Sequence, residues 1–136
     1  MSLDRRVIPP GEPAIIMIVI FSTRLIRLLV PWFHDITGLT LFPFIIIRKE
    51  IRGTAESAVT LNHEKIHIRQ QAELLLVVFA VWYAASFIAG RLRGLSWHDA
   101  YRNIIFEREA FDRMYDLDYL RSRKIFSFLN YRTKAS

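Results

Sequence analysis

The chain contains no cysteine. Disulfides and thiolate metal ligands are therefore excluded, and histidine, aspartate and glutamate remain as the side chains able to hold a metal. Acidic residues are scarce: 13 against 19 lysines and arginines, a net charge of +6 and a pI near 10.1. Such a balance suits an anionic membrane surface or a nucleic acid. No zinc finger or RNP sequence is present, and 52% of the residues are hydrophobic, which favours the membrane. A long hydrophobic run is also missing. The uncharged stretch 74–90 has 17 residues, at the lower limit for a spanning helix of ~20. With 24% charged residues the chain is neither a disordered polymer nor a polytopic membrane protein, and 136 residues amount to one domain with a modest core.

What is present centres on LNHEKIHIRQQAE, residues 61–73, which carries His63, Glu64 and His67 as H-E-x-x-H. On a helix, positions i and i+4 lie one above the other, so both imidazoles can grip one divalent metal with Glu64 beside it. This pattern suits hydrolysis by zinc. The metal takes imidazole nitrogen at about 2.0–2.1 Å, and a catalytic site leaves a position for a water acidified toward pKa ~7. Glu64 is then the group to receive the water's proton.

Taken in order, residues 1–13 hold Arg5, Arg6 and three prolines and read as an irregular basic lead-in. The apolar segment 14–30 is interrupted by Arg24 and Arg27. It suits a core strand or helix, an interfacial helix, or a span whose arginines reach the interface; it resembles a signal peptide but lacks a small-residue cleavage site. Residues 31–38 read as a turn, with His34 a weak site candidate. Residues 38–50 read as extended, and Pro43 makes that segment an edge strand, core-packed or able to hold a peptide by main-chain pairing. After a polar turn at 48–57, one long helix is expected from about Ala58 to Ala89. Its second half, 74–90, is either a buried core helix or a membrane segment, and the small size of the domain favours the membrane.

SWHD, residues 96–99, is a weak capping box opening a helix expected over 97–122, with His98 in its first turn. FEREAF, residues 106–111, offers a third metal ligand. On one continuous helix, Glu107 neighbours Asn103, Ile104, Ala110 and Phe111, a largely interior face. Glu109 neighbours Ile105, Phe106, Asp112 and Arg113, a face half committed to solvent. Glu107 is therefore expected as the ligand, with Glu109 as runner-up. The segment 121–136 is basic and interleaved with Phe126, Phe128 and Tyr131, a pattern for packing on its own domain, an interfacial anchor or base stacking.

HEKIH followed 40 residues after His67 by EREAFD resembles the gluzincin metallopeptidases, especially small membrane-associated bacterial types such as CAAX-processing and β-lactam-sensor peptidases. In those, a downstream glutamate opens an E-x-x-A-D-like motif. Here Glu107 to Ala110 reproduce E-x-x-A, then Phe111 intervenes and Asp112 falls one position late. The resemblance covers roughly residues 58–115. It implies His63, His67 and Glu107 as ligands of Zn²⁺, Glu64 as general base and acid, a peptide or protein substrate, and a place at a membrane, the bacterial inner membrane.

The implied fold is α+β and mostly helical: short N-terminal strands packed on a long H-E-x-x-H helix and a second ligand-bearing helix, in a single domain over 1–136. The transition-state donor stays open among Tyr101, Tyr115, His98 and His34, and Asn62 is expected at a ligand's outer side or a strand end. Two other functions fit the same residues. One is a structural or inactive zinc-binding membrane protein; the other is a metal-free basic adaptor for a membrane surface or, less favoured, nucleic acid.

Overall fold

The computed structural model describes residues 15–132. The expected lead-in at 1–13, with Arg5 and Arg6, and the last four residues lie outside the described residues. The fold is α+β and mostly helical, with six α-helices and one three-stranded sheet among the described residues.

Strand β1, Ile18–Phe21, occupies part of the N-terminal apolar segment, and a short helix α1, Thr23–Leu29, follows it. Ser22 explains the switch: its hydroxyl accepts from the Leu25 amide and caps the helix. Strands β2, Gly38–Leu41, and β3, Phe44–Ile47, form a hairpin with Phe42 and Pro43 in the turn. β3 also pairs with β1 in parallel, so the order is β1-β3-β2. Pro43 therefore does not make an edge strand of the whole segment. Lacking an N–H, it can only accept, its carbonyl taking the Ile18 amide, and it divides the segment in two, leaving β2 at the edge and β3 in the centre. Ile45, Ile46 and Ile47 of β3 are all buried.

Helix α2, Ala55–Leu74, is capped by Thr54, whose hydroxyl accepts from the Ser57 amide. It lies against the sheet on one side and against helix α5, Ile105–Arg113, on the other. Leu61 and Ile68, one heptad apart, join Ile45 and Ile47, while Ile66 meets Ala110 and Leu120 on the opposite side.

The single helix expected over 58–89 is two. Helix α3, Leu76–Leu92, leaves α2 at a bend of 112°. The corner is Leu75, at φ 62 and ψ 149, a conformation that costs an L residue about 1–3 kcal/mol and that no local sequence signal announces. Folding back brings Phe79 onto Phe106, Ile104 and Phe128 in a second core. Only Phe79 and Gly90 of α3 are buried, and Val77 and Leu92 are 74% and 83% exposed. No described helix alone is long and apolar enough to cross a membrane; α2 and α3 reach that measure only as a bent pair.

The helix expected over 97–122 is likewise three: α4, Trp97–Arg102, α5, and α6, Tyr119–Ser122. Asn103 interrupts it. Its side-chain amide donates to the Asp99 carbonyl, a local bond that competes with helix continuation, and Ile104 turns to extended ψ. A second interruption follows α5, where Asn62 from α2 donates to the Met114 and Asp116 carbonyls at 2.9 and 3.0 Å. Asn62 thus ties off the end of α5; it is neither behind a ligand nor at a strand end. Of the C-terminal segment, Phe128 is in the core and Tyr131 lies between Arg113 and Asp112.

Candidate metal centre

The break at Asn103 and Ile104 decides how α5 meets α2. It starts a new helix whose first turn holds Glu107 directly opposite the i, i+4 pair of α2. His63 Nε2 and His67 Nε2 lie 3.1 Å apart, Glu107 Oε2 is 3.1 Å from the former, and Glu107 Oε1 is 3.2 Å from the latter. All three side chains are buried. Ligands at zinc–nitrogen distance on a tetrahedron are separated by about 3.3 Å, so the three groups are spaced as neighbours on one coordination shell. The donor set, two imidazole nitrogens and a carboxylate, fits a divalent ion, and this buried group can hold one.

The electrostatics point the same way. Burial by itself lowers the pKa of His67, yet the adjacent Glu107 carboxylate, with Glu64 adding to it, raises it to about 9. Burial likewise favours neutral Glu107, and the facing imidazoles override it and hold the carboxyl well below its ordinary range. The pocket is thus built to stabilise a positive charge at its centre, as a proton or a metal ion.

Glu64 points a different way, toward the edge strand. Its Oε2 accepts from the Thr40 hydroxyl at 2.5 Å. Gly38 makes room for it: a Cβ there would lie 2.6 Å from Glu64 Oε1 and 2.9 Å from its Cγ. The carboxylate lines a largely apolar cavity of about 450 Å³ together with His67, Glu107, Tyr83 and Tyr101, walled by Phe33, Phe87 and Trp97. Tyr83 donates to Glu107 Oε1 at 2.8 Å. Burial first, and then the Glu107 and Glu64 charges, push both phenols above their ordinary pKa, which keeps them as hydrogen-bond donors.

Of the residues expected from sequence, His63, His67, Glu107 and Glu64 come together here, and Tyr101 joins them at the cavity wall. His34, His98 and Tyr115 are exposed and line no part of the cavity. Glu109 is not half committed to solvent; it is fully buried and bound to Arg123, Tyr119 and Gln70. Its outer face is covered by Tyr119 and Arg123, which lie beyond the break that follows α5. Asp112 is exposed and contacts Tyr131 and Arg113. Sequence reasoning missed Tyr83, Gly38, Thr40 and Gln70. Only Gln70 had a local signal, its place three residues after His67 on one helix. Compared with protein-family models, curated proteins and solved structures, the chain matches none of them.

Proposed function

We propose that this protein is a zinc-dependent peptidase acting at a membrane surface. The observation carrying this reading is the separation of roles around one cavity: three ligand atoms converge on a point while a fourth side chain, the carboxylate of Glu64, is held off that point and faces the same space. A purely structural site has no use for such a group. His63, His67 and Glu107 would hold the zinc, which would polarise a peptide carbonyl and acidify a water when bound. Glu64 takes the proton of the attacking water and passes it to the departing amine. Tyr101 donates to the oxygen that gains charge.

Edge strand β2 gives the substrate a template. By the antiparallel parity of the hairpin, Gly38 and Thr40 turn their backbone groups away from β3. Gln71 already occupies the Thr40 carbonyl and the Phe42 amide. The Gly38 groups and the Thr40 amide then serve an extended peptide entering beside Glu64. The exposed apolar residues of α3, flanked by Arg91 and Arg93, fit an anionic bilayer.

The test is metal content by mass spectrometry on detergent-purified protein, followed by cleavage of a peptide library. About one zinc per chain is expected in wild type and in Glu64→Gln, with loss in His63→Ala and Glu107→Gln. Glu109→Gln keeps its zinc, and Glu64→Gln abolishes cleavage. Absence of zinc from wild type after reconstitution sinks the peptidase and leaves a metal-free adaptor. Zinc without cleavage of any peptide by wild type favours a structural centre, to which the near-complete burial of the three ligands is equally suited.

A further inference from the structure

The two histidines are not held alike. His63 Nδ1 is buried and has no hydrogen-bond partner among the described residues. His67 Nδ1 is 2.7 Å from the Gln70 side-chain oxygen. Gln70 has no freedom to reverse its amide. Its nitrogen lies 2.8 Å from Glu109 Oε2 and 3.1 Å from the Phe106 carbonyl, and both of those atoms only accept. The nitrogen must face them, so the oxygen must face His67.

Glu109 is itself fixed. Tyr119 donates to its Oε1 at 2.8 Å, and Arg123 donates to both oxygens, at 2.6 and 3.2 Å. Arg123 also binds Glu73, near the end of α2. A buried chain thus runs from the C-terminal segment through Arg123, Glu109 and Gln70 to one imidazole.

We infer that Gln70 is the positioning residue for His67, locked in one orientation by the buried Glu109–Arg123 pair. In the neutral ring its carbonyl oxygen keeps the His67 proton on Nδ1 and so turns the Nε2 lone pair toward His63 and Glu107. This outer contact does for His67 what an acidic residue does for many metal-bound histidines, and it comes from the same helix rather than from Asp112. The inference rests on the proposed site insofar as His67 is a ligand.

Gln71 provides a matched control. It is equally buried on the same helix and makes two hydrogen bonds, but to the Thr40 carbonyl and the Phe42 amide and to none of His63, His67 and Glu107. Two measurements on the full chain settle the role. The first is zinc affinity by competition with a chromophoric chelator. Gln70→Leu is expected to weaken it 10–100-fold, and Gln71→Leu to leave it within about threefold even where it lowers the melting temperature as much. Equal loss in both variants overturns the inference.

The second measurement is nitrogen-15-resolved NMR of the histidine rings, with zinc and, without it, in alkaline solution where the ring is neutral. Wild type is expected to show a slowly exchanging His67 Nδ1–H, lost in Gln70→Leu and kept in Gln71→Leu. A wild-type His67 with no such proton, or with its proton on Nε2 in the zinc-loaded state, overturns the inference even if Gln70→Leu does not fold. If wild type binds no zinc, the peptidase reading fails, and the Nδ1–H signal alone then decides the role of Gln70.

Discussion

Helices α2 and α3 follow one another directly and reverse the usual distribution of residues. α2 buries His63, Glu64, His67, Arg69, Gln70 and Gln71. α3, the far more apolar of the two, leaves Val77, Val78, Val81, Ile88 and Leu92 largely exposed. A polar group gains nothing from burial unless each of its atoms is matched, so the interior of α2 is held by specific partners rather than by area. The exterior of α3 has no such accounting, because apolar surface in water costs little per residue when the neighbours already pack. The fold is therefore expected to be brittle where it is polar and tolerant where it is apolar.

Four experiments press on that contrast. Arg123→Met should have the largest effect. It leaves buried Glu109 and half-buried Glu73 without the cation they share, at about 3–5 kcal/mol by urea denaturation. A cost below 1 kcal/mol would mean that these partners do not hold the interior.

The next is the response to pH. In metal-free protein the raised pKa of His67 contributes stability that is complete below 6.5 and is lost as pH rises through about 9. Zinc requires the neutral ring, so its affinity should climb by up to about tenfold per pH unit over that window and level off above it. Melting curves with and without zinc should consequently diverge as pH rises. Parallel curves would remove His67 from the centre.

Gly38→Ala comes third. Its methyl group meets the Glu64 carboxylate, and overpacking of this kind costs about 1–3 kcal/mol. Displacing Glu64 should abolish peptide cleavage while zinc content stays unchanged. On the other helix, Val77→Ser with Leu92→Ser should change stability by no more than about 0.5 kcal/mol per site. The same pair should weaken flotation with anionic vesicles. A large loss of stability would show that this face is covered within the protein's own fold.

What the sequence disclosed tracks how far apart the deciding residues are. The metal pair needed only a four-residue spacing on one helix, and Glu107 needed only a short motif. The extended character of 38–47 follows from the β-branched and aromatic residues around Pro43, but its folding into a hairpin does not. The corners at Leu75 and at Asn103 carry neither glycine nor proline, and each long helix was therefore drawn unbroken. Two of the misplacements follow from unforeseen breaks of this kind. The solvent-facing reading of Glu109 misses Tyr119 and Arg123, which return onto it after α5 ends at Arg113, and Tyr83 reaches Glu107 only after the chain folds back at Leu75.

Leu75 also has mechanical leverage. It is largely exposed and lines no part of the cavity, yet Tyr83 stands eight residues beyond it on a stiff helix. Eight residues make an arm of about 12 Å, so a 10° rotation at the corner swings the far end by roughly 2 Å. That displacement is enough to break the 2.8 Å bond from Tyr83 to Glu107. The backbone angles of one surface leucine thus set whether that phenol reaches its carboxylate.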